Sequence, residues 1–206
     1  MIQAAIHGFI LALGLILPLG VQNLFIFNQG AAQRKFKNAM PAVITASICD
    51  TILICLAVLG VSVILLKITV LKTILLLGGV CFLLYMGLVM WKSKPSRGEE
   101  DQQSFTVKKQ IVFAMSVSLL NPHAILDTIG VIGTNSLLYS GTGKIIFTIV
   151  CVAVSWIWFL ALAIIGKLIG KVDKQGNFLV LLNKISAVIM WGMAVIMFVS
   201  VFKEGI

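Results

Sequence analysis

Acidic residues are scarce in this chain: seven Asp and Glu among 206 residues, with only 11% of all positions charged. Soluble domains carry about 25% charged and about 45–50% apolar residues. With 60% hydrophobic residues and a mean hydropathy of +1.09, the composition excludes a water-soluble enzyme and reads as an integral membrane protein. Histidine is reduced to two positions and cysteine to four. Cys49, Cys55, Cys81 and Cys151 all fall inside apolar runs, and no two form a CxxC pair. That pattern speaks against a thiol-redox enzyme and for buried free thiols. Neither a nucleotide-binding motif nor a cluster of Cys, His and acidic residues of metal-site type is present, so no cofactor and no metal are expected. No Lys or Arg precedes Arg34, so the first apolar stretch has no basic region ahead of it. A removable signal peptide is not expected.

What the chain does have is base. Sixteen Lys and Arg give a formal net charge of +9. On a soluble protein this would suggest nucleic acid; here it fits basic loops held on the cytoplasmic side of a bilayer. Charge runs cut the sequence into six apolar stretches, about 2–28, 39–66, 68–91, 111–132, 145–166 and 185–202. A helix of about 22 residues is about 33 Å long, enough to cross the hydrocarbon core. Stretches two and three are separated only by Lys67 to Lys72, which predicts a tight helical hairpin. The longest polar connection is 92–110, KSKPSRGEEDQQSFTVKKQ, and reads as a linker. Twelve of the sixteen basic residues fall in the first, third and fifth loops, which assigns those loops to the cytoplasm and both termini to the outside. If the first stretch does not cross, the count becomes five helices with an inside N-terminus.

The linker separates three stretches from three, so the second half enters the membrane with inverted orientation. The expected fold is all-α, a polytopic bundle of six transmembrane helices arranged as two inverted three-helix repeats. It forms one transmembrane domain over 1–206, with a first repeat of about 1–91, the linker at 92–110 and a second repeat at 111–206. Inverted repeats are a signature of carriers. Pro18 and Pro122 lie 104 residues apart in matching stretches, and the same shift carries Asn23 onto Asp127.

The carboxylates carry the chemistry. Glu99, Glu100, Asp101, Asp173 and Glu204 fall at membrane surfaces, whereas Asp50 and Asp127 lie inside apolar stretches with no Lys or Arg beside them. An aspartate at a helix centre costs at least about 2.5–3.5 kcal/mol to insert, so it usually faces a cavity, a partner or a proton path. Two such acids without an internal cation suit a cation from outside; a protonated pair bonding neighbouring helices is the alternative. Ser47 and Thr51 lie close to Asp50 on its helix, as hydrogen-bonding or as packing residues.

Two segments are built to break. In LNPHAILDTIGVIGT the residue before Pro122 is pushed out of helical geometry. Asn121 is then an N-cap and Pro122 the first residue of a new half-helix. His123 and Asp127 share one face of it and can relay protons. In ILPLGVQNLFIFNQG, Pro18 and Gly20 weaken the first helix, and the amides of Gln22 and Asn23 follow at once. In lipid, such breaks survive only where they are buried or line a cavity. Trp156 and Trp158 read as packing residues or as aromatic cavity walls, and His7 as interfacial.

The segments ILPLGVQNLFIFNQG, CDTILIC, LNPHAILDTIGVIGT and SWIWF resemble the basic amino acid exporters, the lysine/arginine exporter (LysE-type) family, over essentially the whole chain. Val21 stands where that family generally has a second proline, which relaxes the first break. The resemblance implies a secondary carrier of the bacterial cytoplasmic membrane that exports L-arginine or L-lysine, with Asp50, Asp127, Asn23, Gln22 and Asn121 as the functional positions. Its partners would be a basic amino acid, protons and the lipid bilayer, and further copies of itself are compatible with it. Proton entry would compensate the export of positive charge through Asp50, Asp127 and His123. A neutral amino acid exporter and, more weakly, a divalent-cation exporter using Asp50, Asp127 and His123 are the alternatives.

Overall fold

The computed structural model describes residues 1–17, 20–60, 69–92, 106–119, 125, 128–172 and 177–204. Pro18, Asn121, Pro122, His123 and Asp127 lie outside the described residues. Among the described residues the fold is all-helical and contains no strand. The helices are α1 (Ile2–Ile16), α2 (Val21–Ala32), α3 (Met40–Val58), α4 (Thr69–Trp91), α5 (Val107–Leu119), α6 (Gly141–Val172) and α7 (Asn177–Glu204). A 3-10 turn, Phe36–Ala39, leads into α3. Between α5 and α6 stand a π-helical segment, Thr128–Gly133, and a last helical turn, Thr134–Ser136.

Length and apolarity identify the spans. Phe36–Val58 and Gly141–Val172 are long and apolar enough to cross a membrane, with hydropathies of 2.1 and 2.6, and the bent pair α1–α2 qualifies as a third. Pro41 sits in the first turn of α3, where its missing N–H costs nothing. Gly60 adopts φ +80° just beyond the end of α3, the left-handed conformation that commonly stops a helix. Large apolar side chains such as Ile145, Ile149, Ile157 and Leu168 project outward from α6. A soluble monomer rarely shows so much apolar surface; lipid is its natural solvent.

The break expected in the first stretch is present. α1 stops at Ile16, α2 starts at Val21, and their axes bend by 78°. Gly20 caps α2 in an extended conformation. The turn of the tight hairpin expected of stretches two and three, 61–68, lies outside the described residues. Among the described residues α4 packs along α7, whereas α3 packs against α5, α6 and the π segment. α3 keeps an outward apolar face, Ile44, Ile48, Ile52 and Leu56, exposed. On α4, meanwhile, Gly87 is so close to the indole of Trp191 on α7 that a β-carbon there would collide with it. Three further boundaries differ from the charge-run reading. Lys72 is inside α4, Lys108 to Gln110 begin α5, and Lys184 is inside α7. Long basic side chains extend toward water from a helix end, so a charge run does not have to be a loop.

The interior has two layers along α3 and α6. Ala42, Val43 and Ala46 cluster with Phe25, Ile26, Ala114, Phe159, Leu162 and Ala163. Ile54 and Val58 cluster with Ala4, Ala12, Ile132, Phe147, Cys151 and Val154. The start of α3 therefore lies beside the end of α6, so the two helices run antiparallel. α2 and α6 approach most closely: a β-carbon on Gly30 would strike the backbone of Ala163, and one on Gly166 or Gly170 the backbone at Phe27 or Ala31. Gly166 and Gly170 form a GxxxG pair, which lets helices meet backbone to backbone.

Candidate functional site

Asp50 lies between the two core layers, midway along α3. Gln22, in the first turn of α2, donates from Nε2 to Asp50 Oδ1 at 3.0 Å. Ser155 of α6 donates from Oγ to Asp50 Oδ2 at 2.9 Å. Three helices thus converge on one carboxylate, and each of its oxygens accepts one bond from a neutral donor. A carboxylate has about four lone-pair sites, so two remain available. The first-turn amides of α2, which no helical carbonyl can reach, add a positive field near Gln22. Among the described residues no Lys or Arg bonds to Asp50. The arrangement can hold a small cation or ammonium group beside Asp50.

Next to this bond is a second cross-helix link. Trp156 Nε1 donates to Thr51 Oγ1 at 3.0 Å, and Thr51 Oγ1 donates in turn to the Ser47 carbonyl at 2.7 Å. Trp156 therefore has a polar role beyond packing. Asn23 faces a different way from its neighbour Gln22: it is buried, and its Nδ2 donates to the Ile16 carbonyl at 2.6 Å. Successive helical residues point about 100° apart, and here Gln22 turns to Asp50 and Asn23 to the Ile16 carbonyl. Asn23 satisfies one of the carbonyls released where α1 ends, and Gln22 reaches Asp50.

Several polar contacts were not foreseen from the sequence. In the sequence Ser155 is one small residue in an apolar run, and only the antiparallel register with α3 brings it to Asp50. Asn28 of α2 donates to Asn183 of α7 at 2.5 Å. Lys167 Nζ caps the C-terminal end of α2 by donating to the carbonyls of Gln33 and Arg34 at 2.5 and 3.1 Å, where the helix dipole favours a cation. His7 Nδ1 lies 2.8 Å from the Tyr139 hydroxyl, and its ring packs against Tyr139 and Phe147. All four cysteines are free thiols, and Cys151 Sγ contacts the Gly8 carbonyl at 3.5 Å. Among the described residues no three His, Cys, Asp or Glu converge on a point where a metal ion could bind.

Apolar helices of spanning length around a hydrogen-bonded carboxylate define an α-helical membrane protein with a polar site inside the bilayer. Such a site is by default a functional one. The chain belongs to the LysE type translocator family, which it matches over residues 13–200. It is 56% identical to the protein named "Putative amino-acid transporter YisU" of Bacillus subtilis (strain 168), over 97% of this chain and 91% of that one. It is also 32% identical to two proteins named "Arginine exporter protein ArgO". The Serratia proteamaculans (strain 568) protein is matched over 94% of this chain and 95% of its own length. The Escherichia coli O157:H7 protein is matched over 91% and 90%. No solved structure matches the chain.

Proposed function

We propose that this protein exports basic amino acids, L-arginine and/or L-lysine, across the bacterial cytoplasmic membrane by proton antiport with alternating access. The observation that carries the reading is Asp50. It is a carboxylate inside a span, held by Gln22 and Ser155, with acceptor capacity left over and no basic residue bonded to it among the described residues. The arginine exporters among the relatives, at 32% identity, support the same substrate class. Asp50 and Asp127 are the cation-binding and proton-coupling acids, with His123 beside the second. Gln22, Asn23 and Asn121 serve the substrate's polar backbone end, Asn23 through the break it stabilises. Pro18, Gly20 and Pro122 set the two breaks. Moving one positive charge outward against an inside-negative potential costs about 2.3 kcal/mol per 100 mV, and an entering proton offsets it. One aspartate carries either the proton or the substrate at a time.

The architecture that goes with this is six spans in two inverted repeats, about 1–91 and 111–206 around the linker 92–110, with both termini outside. The helix pattern supports it. Shifting the first half by 104 residues carries α1 and α2 onto 106–120 and 125–136. Most of their described residues fall on α5, Val107–Leu119, and on the helical stretch from Thr128 to Ser136. Packing follows the same exchange: α1 and α2 lie on α6, α5 and the π segment lie on α3, α3 meets α6, and α4 meets α7. Thr51 and Ser155, also 104 apart, stand at the centre of the α3–α6 crossing.

The test is in cells. Bacteria lacking the protein are fed arginine- or lysine-containing dipeptides, and internal arginine and lysine are followed. The proposal expects several-fold higher internal levels than in cells that contain the protein. Equal levels of both amino acids in the two strains would overturn it.

A further inference from the structure

One helical turn from Asp50 toward the start of α3, two buried donors have no partner among the described residues. Ser47 is fully buried and its Oγ makes no hydrogen bond; the buried Nε1 of Trp158 makes none either. The register of the two helices puts both residues near one level. The Asp50–Ser155 bond fixes the antiparallel register of α3 and α6. The clusters on either side extend it, Ile54 and Val58 with Cys151 and Phe147, Ala42 and Ala46 with Ala163 and Phe159. Three residues before Asp50 is Ser47, and three after Ser155 is Trp158, whose ring packs on the cluster containing Val43 and Ala46. Buried polar atoms are almost always satisfied, and an exception requires an explanation such as a water or a ligand. Two such exceptions near one level on opposite helices fit a single ligand group. Both groups can donate, so their natural partner is an acceptor, and an anionic oxygen is the strongest.

We propose that Ser47 Oγ and Trp158 Nε1 form the subsite for the substrate's α-carboxylate, one turn from Asp50, which takes the α-ammonium. Three residues along a helix rise about 4.5 Å, matching the adjacent ammonium and carboxylate of an α-amino acid. The inference rests on the amino acid export reading and adds the orientation of the bound molecule. It also sets a criterion for recognition: the carrier tells an amino acid from the corresponding amine at Ser47 and Trp158, not at Asp50.

The experiment uses vesicles containing the full chain, with efflux of L-arginine measured against competing agmatine, its decarboxylated counterpart. Ser47→Ala and Trp158→Phe each raise the half-saturation concentration for arginine about 10-fold, the effect of losing one donor to a charged group. The agmatine inhibition constant stays unchanged, and Ser47→Thr retains near-normal arginine affinity. Ser47→Ala removes no hydrogen bond from the ligand-free protein, so its thermal stability is expected to be undiminished. An unchanged arginine constant in Ser47→Ala would overturn the subsite and leave the two atoms to a water. Equal rises for arginine and agmatine would overturn it as well, because they indicate packing. Failure of the export reading shows separately, as wild-type vesicles that move threonine and not arginine. The subsite is then tested with threonine against 1-amino-2-propanol in the same variants, with the same outcomes deciding.

Discussion

Asp50→Asn is expected to lower arginine efflux by at least 100-fold while leaving the amount of protein in the membrane unchanged. The geometry explains both halves of this result. Asn is isosteric with Asp and keeps one oxygen to accept from Ser155 or Gln22, so the α2–α3–α6 junction loses one hydrogen bond to a charged group, worth about 1.5–3 kcal/mol. What disappears is the charge. A cation in a low-dielectric site without its counter-charge loses several kcal/mol, and each 1.4 kcal/mol is a factor of ten. Purified variant and wild type in vesicles, matched for protein content, give the comparison. Asp127→Asn is expected to act in the same direction. Full efflux by Asp50→Asn would remove Asp50 from the mechanism.

Gly166→Leu is expected to do the reverse, abolishing function by preventing assembly. A β-carbon at Gly166 collides with the carbonyl of Phe27 and approaches the amide of Ala31 at 3.2 Å, and Gly30 on the facing helix meets the backbone of Ala163 in the same way. These obstacles are backbone atoms, which cannot rotate aside as a side chain can. The cost therefore exceeds the about 1–3 kcal/mol of an ordinary overpacked core. It also falls on the α2–α6 contact that brings the Gln22 and Ser155 helices to Asp50. Gly14, whose added β-carbon meets nothing within 4 Å, is the control: Gly14→Leu should accumulate normally. Membrane-inserted protein measured by immunoblot, together with its melting temperature in detergent, separates the two variants.

Much of this organisation is legible in the residues. An aspartate amid CDTILIC announces a polar site, because lipid allows few other reasons for one. The sequence PLGVQN announces a break with polar amides just beyond it, and Gln22 does reach Asp50. Partners 105 residues away are harder to read. Ser155 becomes a ligand of the carboxylate only once α3 and α6 lie antiparallel in a fixed register, and nothing local in SWIWF states that register. Asn23 adds a contact that its chemistry alone does not specify, its Nδ2 donating to the Ile16 carbonyl. The short connection between stretches two and three suggested a hairpin. Chain proximity fixes only the ends of two helices, and α4 finds its packing surface on α7.

An acidic site is expected to prefer an amino acid with a second ammonium group or a guanidinium over a neutral one. The most direct measurement of this preference is competition in purified vesicles, with labelled arginine loaded on the substrate side and unlabelled lysine or threonine added at equal concentration. At saturating concentrations lysine is expected to slow arginine export about two-fold, as an equal competitor does, and threonine to leave it nearly unchanged. Threonine competing as well as lysine, or vesicles that export threonine and not arginine, would contradict it.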